Sequence, residues 1–298
     1  MNKYLCLAAT ALLLAACTND EALTTVPDGE VALKVNAAIS GIATRATGTT
    51  WATGDRIGLT TTSDTKTKYS NVPYAYNGSA FVADGTDIYF QDTQTAVFSA
   101  YYPYSAEAGV VSKTITADDQ AAGSQPQIDY LFASGATASK ASPTVNFTGE
   151  QAFNHCMSQV TLTFINGDDV ELDGVLTSYT LGGLVMDGSF DTATGKAQAT
   201  GTQPADLTIT LTDVTTTAEG EYTAAPLILF PQLAAQAGIS VTVNDEIYTA
   251  MLIIPAGALQ AGNNYTFPVT VSKTGLTVGS AAINDWTDVQ GNGTTATM

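Results

Sequence analysis

The chain has 298 residues, of which 45% are hydrophobic and 13% charged, and its 28 acidic and 10 basic side chains give a net charge of −18. This composition excludes a disordered chain and a coiled coil, and the acidic balance removes the attraction on which nucleic-acid binding mostly depends. One histidine and three cysteines leave little material for a transition-metal site or a catalytic triad, so we expect no enzyme, no metal and no cofactor.

The N-terminus has the pattern of an export signal. Lys3 precedes an apolar run over residues 5–14, which is shorter than the roughly 20 residues of a membrane-spanning helix. The run ends in Leu14-Ala15-Ala16-Cys17, which resembles the bacterial lipobox, where the cysteine is acylated and becomes the first mature residue. We predict a signal peptide over residues 1–16 and a lipid on Cys17 that anchors the precursor in the outer membrane. An ordinary signal with a chance cysteine is the alternative.

The segment after the anchor alternates between apolar and polar side chains. Its apolar positions are Val31, Leu33, Val35, Ala37 and Ile39. A period of two predicts an extended strand with one buried face. Burial of each large aliphatic side chain is worth about 1.5–3 kcal/mol, so loss of the strand would be costly. It would also expose unpaired backbone groups to which a strand of another molecule could add.

Small residues without a hydrophobic period follow over positions 41–48 and predict an exposed loop. Arg45 lies in this loop, whereas the chain's other arginine, Arg56, lies in a predicted strand. We predict that an arginine-directed protease cuts between Arg45 and Ala46 and releases residues 17–45 as a lipidated propeptide with the first strand. The alternative is a permanent first strand, with Arg45 simply located in a loop.

The rest of the chain shows short alternating segments separated by Gly, Pro, Asn and Asp. The predicted strands cover residues 55–59, 80–82, 88–90, 97–102, 145–147, 160–164, 207–211, 227–230, 239–243, 247–252 and 265–271. No long segment has a helical period, so we predict an all-β sandwich protein. Turn formers at 166–169 predict a boundary between domains over 46–168 and 169–298, and a hairpin within one larger unit is the alternative.

His155 and Cys156 are adjacent, a pair that could suggest a thiolate nucleophile. Neighbours along a strand point to opposite faces, however, and a lone cysteine is most often a small buried side chain. Removal of Cys6 with the signal and acylation of Cys17 would leave Cys156 without a disulfide partner. We therefore interpret Cys156 as a packing residue.

Five local sequences resemble blocks of the fimbrillin family, the type V pilins of Bacteroidetes. They are Trp51-Ala52-Thr53-Gly54-Asp55-Arg56-Ile57-Gly58, the segment 153–164, Leu229-Phe230-Pro231-Gln232, Gly262-Asn263-Asn264-Tyr265 and Ile283-Asn284-Asp285-Trp286. The resemblance implies two transthyretin-like β-sandwich domains in tandem and a subunit of an adhesive surface fimbria. It also implies cleavage of the precursor after its first strand and, as partners, other fimbrial subunits that fill the vacated groove.

The sequence defines less clearly which segment of a neighbouring subunit would replace the first strand. In the fimbrillin family, strands near the C-terminus fill the neighbouring groove, and Leu276, Val278, Ile283 and Trp286 lie in the corresponding region. The tail after Trp286 is short and polar, and alone it makes a poor donor. Either the preceding strands swing out, or this subunit acts at a tip or base of the fimbria rather than in the stalk.

A surface lipoprotein that binds a glycan or a host ligand without polymerising is the main alternative. Six tyrosines lie close together in sequence and could form an aromatic platform, namely Tyr69, Tyr74, Tyr76, Tyr101, Tyr102 and Tyr104. Tyrosine also favours strands, and such a binder would keep its first strand and stay monomeric after protease treatment. The 28 acidic residues do not exclude a glycosidase, but no paired carboxylates stand out from the turn aspartates.

Overall fold

The computed structural model describes residues 29–40 and 50–286. Within these ranges the chain forms 23 strands and four short 3₁₀ helices and contains no α-helix. The prediction of an all-β protein is confirmed. No helix in this part of the chain has the length and apolar character that crossing a membrane requires.

The strands are short and follow one another with few residues between them. The first ten are β1 (Lys34–Ala37), β2 (Arg56–Thr61), β3 (Val72–Tyr76), β4 (Phe81–Ala83), β5 (Ala96–Tyr102), β6 (Val110–Thr114), β7 (Leu131–Ala138), β8 (Thr144–Phe147), β9 (Asn154–His155) and β10 (Ser158–Asn166). The other thirteen are β11 (Leu176–Leu184), β12 (Asp187–Asp191), β13 (Lys196–Ala199), β14 (Ala205–Thr210), β15 (Glu221–Thr223), β16 (Leu227–Leu229), β17 (Gln232–Leu233), β18 (Gln236–Val243), β19 (Glu246–Ile253), β20 (Ala258–Leu259), β21 (Asn263–Ser272), β22 (Gly275–Val278) and β23 (Ala282–Asp285). The 3₁₀ helices are Asp118–Gln120, Gln125–Gln127, Gly149–Gln151 and Pro255–Gly257.

The N-terminal half is built on one large sheet. Its eight strands follow the spatial order β8-β1-β4-β3-β2-β5-β7-β9. Its apolar side chains form a first hydrophobic cluster, which includes Ile57, Phe98 and Phe147. Leu33 and Val35, from the start of the described chain, belong to the same cluster. The first strand is therefore an interior part of this sheet.

The C-terminal half contains two further large sheets. One has the order β15-β10-β21-β22, with β16 also paired to β10 and β23 to β21, and the other has the order β14-β11-β18-β19. A second hydrophobic cluster draws on both sheets and includes Phe164, Tyr179, Val241 and Phe267. Apolar side chains from two sheets that share one core are the arrangement of a β-sandwich.

The residues of the two hydrophobic clusters indicate where the chain divides into its N-terminal and C-terminal halves. Strand β10 precedes the predicted boundary between residues 168 and 169, yet Val160, Leu162 and Phe164 from this strand pack in the second cluster. Phe153 is the last residue of the first cluster. The boundary at 168 stays a prediction, and the distribution of side chains favours a division between residues 153 and 160.

A third cluster joins the two halves. Strand β6 pairs antiparallel with β12, so a strand from each half shares one small sheet with β13. Beside it, the ring of Tyr130 stacks on Phe190, with centroids 4.6 Å apart and an interplanar angle of 6°. Trp286, the last described residue, is buried in the same cluster. The end of the described chain therefore packs at the junction of the halves.

Candidate functional site

Strand β1 lies between two other strands of the first sheet. It runs parallel to β8, with Lys34–Ala37 opposite Thr144–Phe147, and antiparallel to β4, with Val35 opposite Phe81. We call the space that β1 occupies between β4 and β8 the strand slot. Because β8 is the terminal strand of this sheet, removal of β1 would separate β8 from the other strands.

Backbone hydrogen bonds hold the first strand on both sides of the slot. On one side the Ala38 N–H donates to the carbonyl of Phe147 at 2.9 Å. On the other side the Leu33 N–H donates to the carbonyl of Ile88 at 2.8 Å. The pairing therefore extends beyond β1 in both directions, and the segment behaves as a full member of the sheet.

The segment that follows β1 is held by the backbone of Phe153. The Ser40 N–H donates to the Phe153 carbonyl at 2.7 Å, and the Phe153 N–H donates to the Ala38 carbonyl at 2.9 Å. Pairing continues in this way to Ser40, the last described residue before Arg45. A cut after Arg45 would leave the strand attached by these noncovalent contacts alone.

The predicted apolar face of the first strand is turned into the protein. Leu33 and Val35 are 4% and 2% exposed, whereas Lys34 and Asn36 between and beside them are exposed. Three further apolar side chains are partly buried against the first cluster, namely Val31, Ala37 and Ile39. The two fully buried side chains alone contribute about 3–6 kcal/mol, which is a large share of the stability of a typical domain.

Trp51 closes one end of the strand slot. Its indole N–H donates to the carbonyl of Ala37 at 3.0 Å. The same ring makes edge-to-face contacts with Phe81, Tyr102 and Phe153, with centroid distances of 5.0, 5.5 and 5.2 Å. The indole is thus both a packing element of the first cluster and a hydrogen-bond donor to the first strand.

The turn that follows Trp51 fixes the position of this ring. Gly54 has a φ of +98°, a left-handed conformation that favours glycine. The carboxylate of Asp55 accepts a hydrogen bond from the Ala52 N–H at 2.7 Å and another from the Tyr102 hydroxyl at 3.1 Å. Burial and the nearby Asp55 carboxylate raise the pKa of Tyr102, so its hydroxyl remains a donor at neutral pH.

The His155–Cys156 pair lies beside the junction of the halves rather than in an open cleft. The Nδ1 atom of His155 is 2.9 Å from a carboxylate oxygen of Asp129, and both side chains are buried. Burial raises the pKa of the Cys156 thiol to about 12, so the thiol is protonated at neutral pH. This environment agrees with the interpretation of Cys156 as a packing residue. Within the described ranges, His, Cys, Asp and Glu side chains form no group of three suited to a metal ion.

The region predicted to donate a strand lies on one edge of β21. Strand β22 pairs with Val269–Ser272 and β23 with Asn263–Thr266, while β10 holds the opposite edge. Leu276 and Val278 are partly buried, and Ile283 is 46% exposed. Trp286 is 3% exposed and is the firmly anchored member of the predicted donor set.

Comparison with known proteins identifies the family. A family model described as fimbrillin-like matches residues 44–286, which span the Trp51 turn, both halves and Trp286. The chain belongs to the fimbrillin-like family. The resemblance predicted from the local sequence blocks is therefore confirmed.

Three proteins similar to this fimbrillin-like chain come from Bacteroides. A Bacteroides uniformis protein, provisionally named fimbrium subunit Fim1C, is 30% identical over an alignment of 315 positions. The alignment covers 99% of this chain and 98% of that protein. A Bacteroides ovatus crystal structure, provisionally described as a cell adhesion protein, is 29% identical with a TM-score of 0.72, covering 88% of this chain and 99% of that one. A Bacteroides uniformis structure with the same provisional description is 25% identical with a TM-score of 0.65, covering 87% and 100%.

The six tyrosines of the fimbrillin-like chain do not form one exposed platform. Tyr74, Tyr101 and Tyr102 are buried. Tyr69 and Tyr76 pack against the first cluster, and the ring of Tyr104 lies under the guanidinium of Arg56 at 4.7 Å. Their main role is therefore packing, which removes the observation that had favoured a glycan-binding surface.

Several predicted positions of the fimbrillin-like chain lie outside the described residues. They are Cys17, Arg45 and Ala46, together with the tail after Trp286. Lipidation and cleavage therefore stay predictions. The contact between Trp51 and Ala37 was not predicted, because no local pattern signals a side chain that reaches a strand 14 residues away.

Proposed function

We propose that this fimbrillin-like protein is a subunit of an adhesive cell-surface fimbria that assembles by β-strand exchange. In this proposal the precursor is exported as a lipoprotein with Cys17 anchored in the outer membrane. An arginine-directed protease cuts it between Arg45 and Ala46, and other fimbrial subunits then supply a strand. The observation that carries the proposal is the position of β1, which is the first of the described strands and is interior to its sheet.

Loss of β1 would leave an unstable groove. The backbone groups of β8 and β4 that pair with β1 would lose their partners, as would the side chains that surround Leu33 and Val35. Unpaired strand edges and exposed apolar surface both favour the addition of another strand. A second copy of the chain can supply such a strand if its own C-terminal strands leave β21.

The C-terminal strands have the right pattern to replace β1. The segment Leu276-Thr277-Val278-Gly279-Ser280 repeats the spacing of Leu33-Lys34-Val35-Asn36-Ala37, with two aliphatic residues followed by a small one. Because β22 and β23 occupy only one edge of β21, their departure would leave the pairing of β21 with β10 in place. This arrangement supports donation by the strands themselves rather than by the polar tail.

Membership of the fimbrillin-like family supports a structural role in a surface fimbria rather than an enzymatic one. The buried and protonated thiol of Cys156 supports the same conclusion. The His155 imidazole is also buried, and it lies against Asp129, where a substrate in solution does not reach it.

The experiment that tests the proposal replaces each of the two arginines. Arg45→Lys preserves the positive charge but removes the arginine side chain that an arginine-directed protease must recognise before it hydrolyses the bond to Ala46. We expect the variant to be exported and lipidated, to keep its precursor mass and to form no fimbriae under electron microscopy. Arg56→Lys is the matched control and should assemble normally, because Arg56 lies in a strand and pairs with Asp84 at 2.6 Å. Normal fimbriae from Arg45→Lys would contradict the proposal.

A further inference from the structure

We infer that Trp51 is the residue by which the strand slot recognises the strand that occupies it. Its indole N–H would bind the carbonyl at the position of Ala37, whether that carbonyl belongs to β1 or to an extended segment from another subunit. This inference rests on the proposed function, since it concerns the strand that replaces β1. Any sheet edge can bind a strand through backbone hydrogen bonds. The Trp51 indole adds one specific hydrogen bond, to the carbonyl at the Ala37 position.

Strand β4 pairs with only part of one side of β1. The pairing between β1 and β4 consists of Val35 opposite Phe81, the first residue of β4. Residues two apart in a strand direct their backbone groups to the same side, so the carbonyl of Ala37 points past the end of β4. The indole N–H of Trp51 occupies this place at 3.0 Å. A side chain thus provides the hydrogen bond that a longer neighbouring strand would have provided.

The donor is positioned independently of the strand that it contacts. The three rings packed around Trp51 belong to Phe81, Tyr102 and Phe153, all of which lie outside β1. The Asp55 turn that follows Trp51 is also outside β1. A donor held by the body of the protein binds with a smaller loss of side-chain freedom. Trp51 also follows Arg45 in sequence, so it stays with the body after the proposed cut.

The position of Trp51 defines what the incoming segment must offer. It must be extended, with a carbonyl at the Ala37 position and aliphatic side chains at the positions of Val35 and Leu33, which point into the core. In the segment 276–280 of a second copy, the corresponding carbonyl is that of Ser280. The ligand class is therefore an extended peptide with two alternating aliphatic residues followed by a small residue.

A first experiment observes the indole directly. The chain has two tryptophans, so isotope-labelled tryptophan gives two indole N–H signals, and Trp286→Phe assigns them. The full chain is cut after Arg45, its first strand is removed, and a fluorescent peptide of residues 29–40 is added. Fluorescence anisotropy reports uptake. We expect the Trp51 indole N–H to be protected from solvent exchange with β1 in place, to lose protection when the slot is empty and to regain it with the peptide.

A second experiment removes the donor but keeps an aromatic ring. In Trp51→Phe the carbonyl at the Ala37 position loses its partner, and we expect the peptide to dissociate about five- to tenfold faster. Tyr179→Phe is the matched control, because it removes a polar group from a buried aromatic side chain of the second cluster, outside the slot. Its peptide should dissociate at the rate measured for the unaltered protein.

The outcomes separate this inference from the proposed function. Peptide uptake with an unprotected Trp51 indole, or equal dissociation rates for Trp51→Phe and the unaltered protein, would overturn the role of Trp51 and leave strand exchange intact. No peptide uptake by the emptied protein would contradict strand exchange itself and the role of Trp51 with it. If Trp51→Phe does not fold, the exchange measurement on the unaltered indole decides alone.

Discussion

The indole of Trp286 lies flat against the imidazole of His155, with ring centroids 4.1 Å apart and planes inclined by 5°. Trp286 directly follows β23, the last of the described strands, and His155 ends β9 at the edge of the first sheet. Two residues before His155, the backbone of Phe153 pairs with the segment that follows β1. The backbone contact that holds the segment after β1 and the ring contact that holds the residue after β23 therefore involve neighbouring residues, Phe153 and His155.

Removal of this stack should loosen the C-terminal strand. We expect Trp286→Ala to lower the free energy of unfolding by about 3–5 kcal/mol, because a large buried ring and its partner's contacts are lost. Hydrogen exchange should quicken for the backbone amides of Asn264 and Thr266, which point toward β23. Trp286→Phe, which keeps a stacked ring, should lose less. Unchanged exchange at these amides in Trp286→Ala would show that the stack does not hold β23.

The stability of the uncut protein should depend on the inward face of the first strand. Val35→Ala removes buried methyl groups from the slot and should lower the free energy of unfolding by about 2 kcal/mol in urea titrations. Lys34→Ala is the control on the same strand, and we expect a change within about 0.5 kcal/mol because Lys34 is exposed. Equal effects of the two substitutions would mean that β1 is not packed as an interior strand.

The turn that orients Trp51 should be sensitive to the loss of its glycine. A Cβ at Gly54 would meet nothing within 4 Å, but the φ of +98° is strained for any other residue. We expect Gly54→Ala to cost about 1–2 kcal/mol in thermal or urea unfolding. Gly123→Ala is the matched control, because Gly123 has the same open surroundings without a left-handed φ. If both variants unfold alike, the conformation of the turn does not matter to stability.

Cys156 should be unreactive in the folded protein. Burial raises the pKa of its thiol to about 12, so little thiolate exists at pH 8, and we expect no alkylation of Cys156 by iodoacetamide until urea unfolds the chain. A raised folded-state pKa stabilises the protein below the thiol's unfolded pKa, and this contribution is lost as the pH rises toward 12. Peptide mass mapping at pH 8 checks the first point, and rapid labelling of the folded chain would refute it.

The sequence predicted the elements whose side chains alternate cleanly. Strands β10 and β21 include the predicted segments 160–164 and 265–271. The first strand was predicted from the alternation of its apolar and polar side chains. Strand β7 was missed, because its sequence Leu131-Phe132-Ala133-Ser134-Gly135-Ala136-Thr137-Ala138 combines small residues with a glycine at φ +82° and a register shift against β5. A strand that is interrupted in this way loses the alternation by which sequence reveals it.

Contacts between distant segments could not be predicted from local patterns. The pairing of β6 with β12 brings together residues more than 70 positions apart, and neither strand has a marked apolar alternation. The stack of Trp286 on His155 joins two residues that the sequence analysis treated separately. Trp51 is partly buried against the first cluster, but the carbonyl that it binds depends on where β4 ends.

Assembly by strand exchange requires that the first strand can be removed and that its loss drives association. Treatment of the purified precursor with an arginine-specific protease, with mass and oligomer size followed together, tests this mechanism, and Arg45→Lys is the uncut control. We expect a new N-terminus at Ala46, departure of the strand and growth of oligomers. A correctly cut product that loses its strand and stays a folded monomer would contradict it.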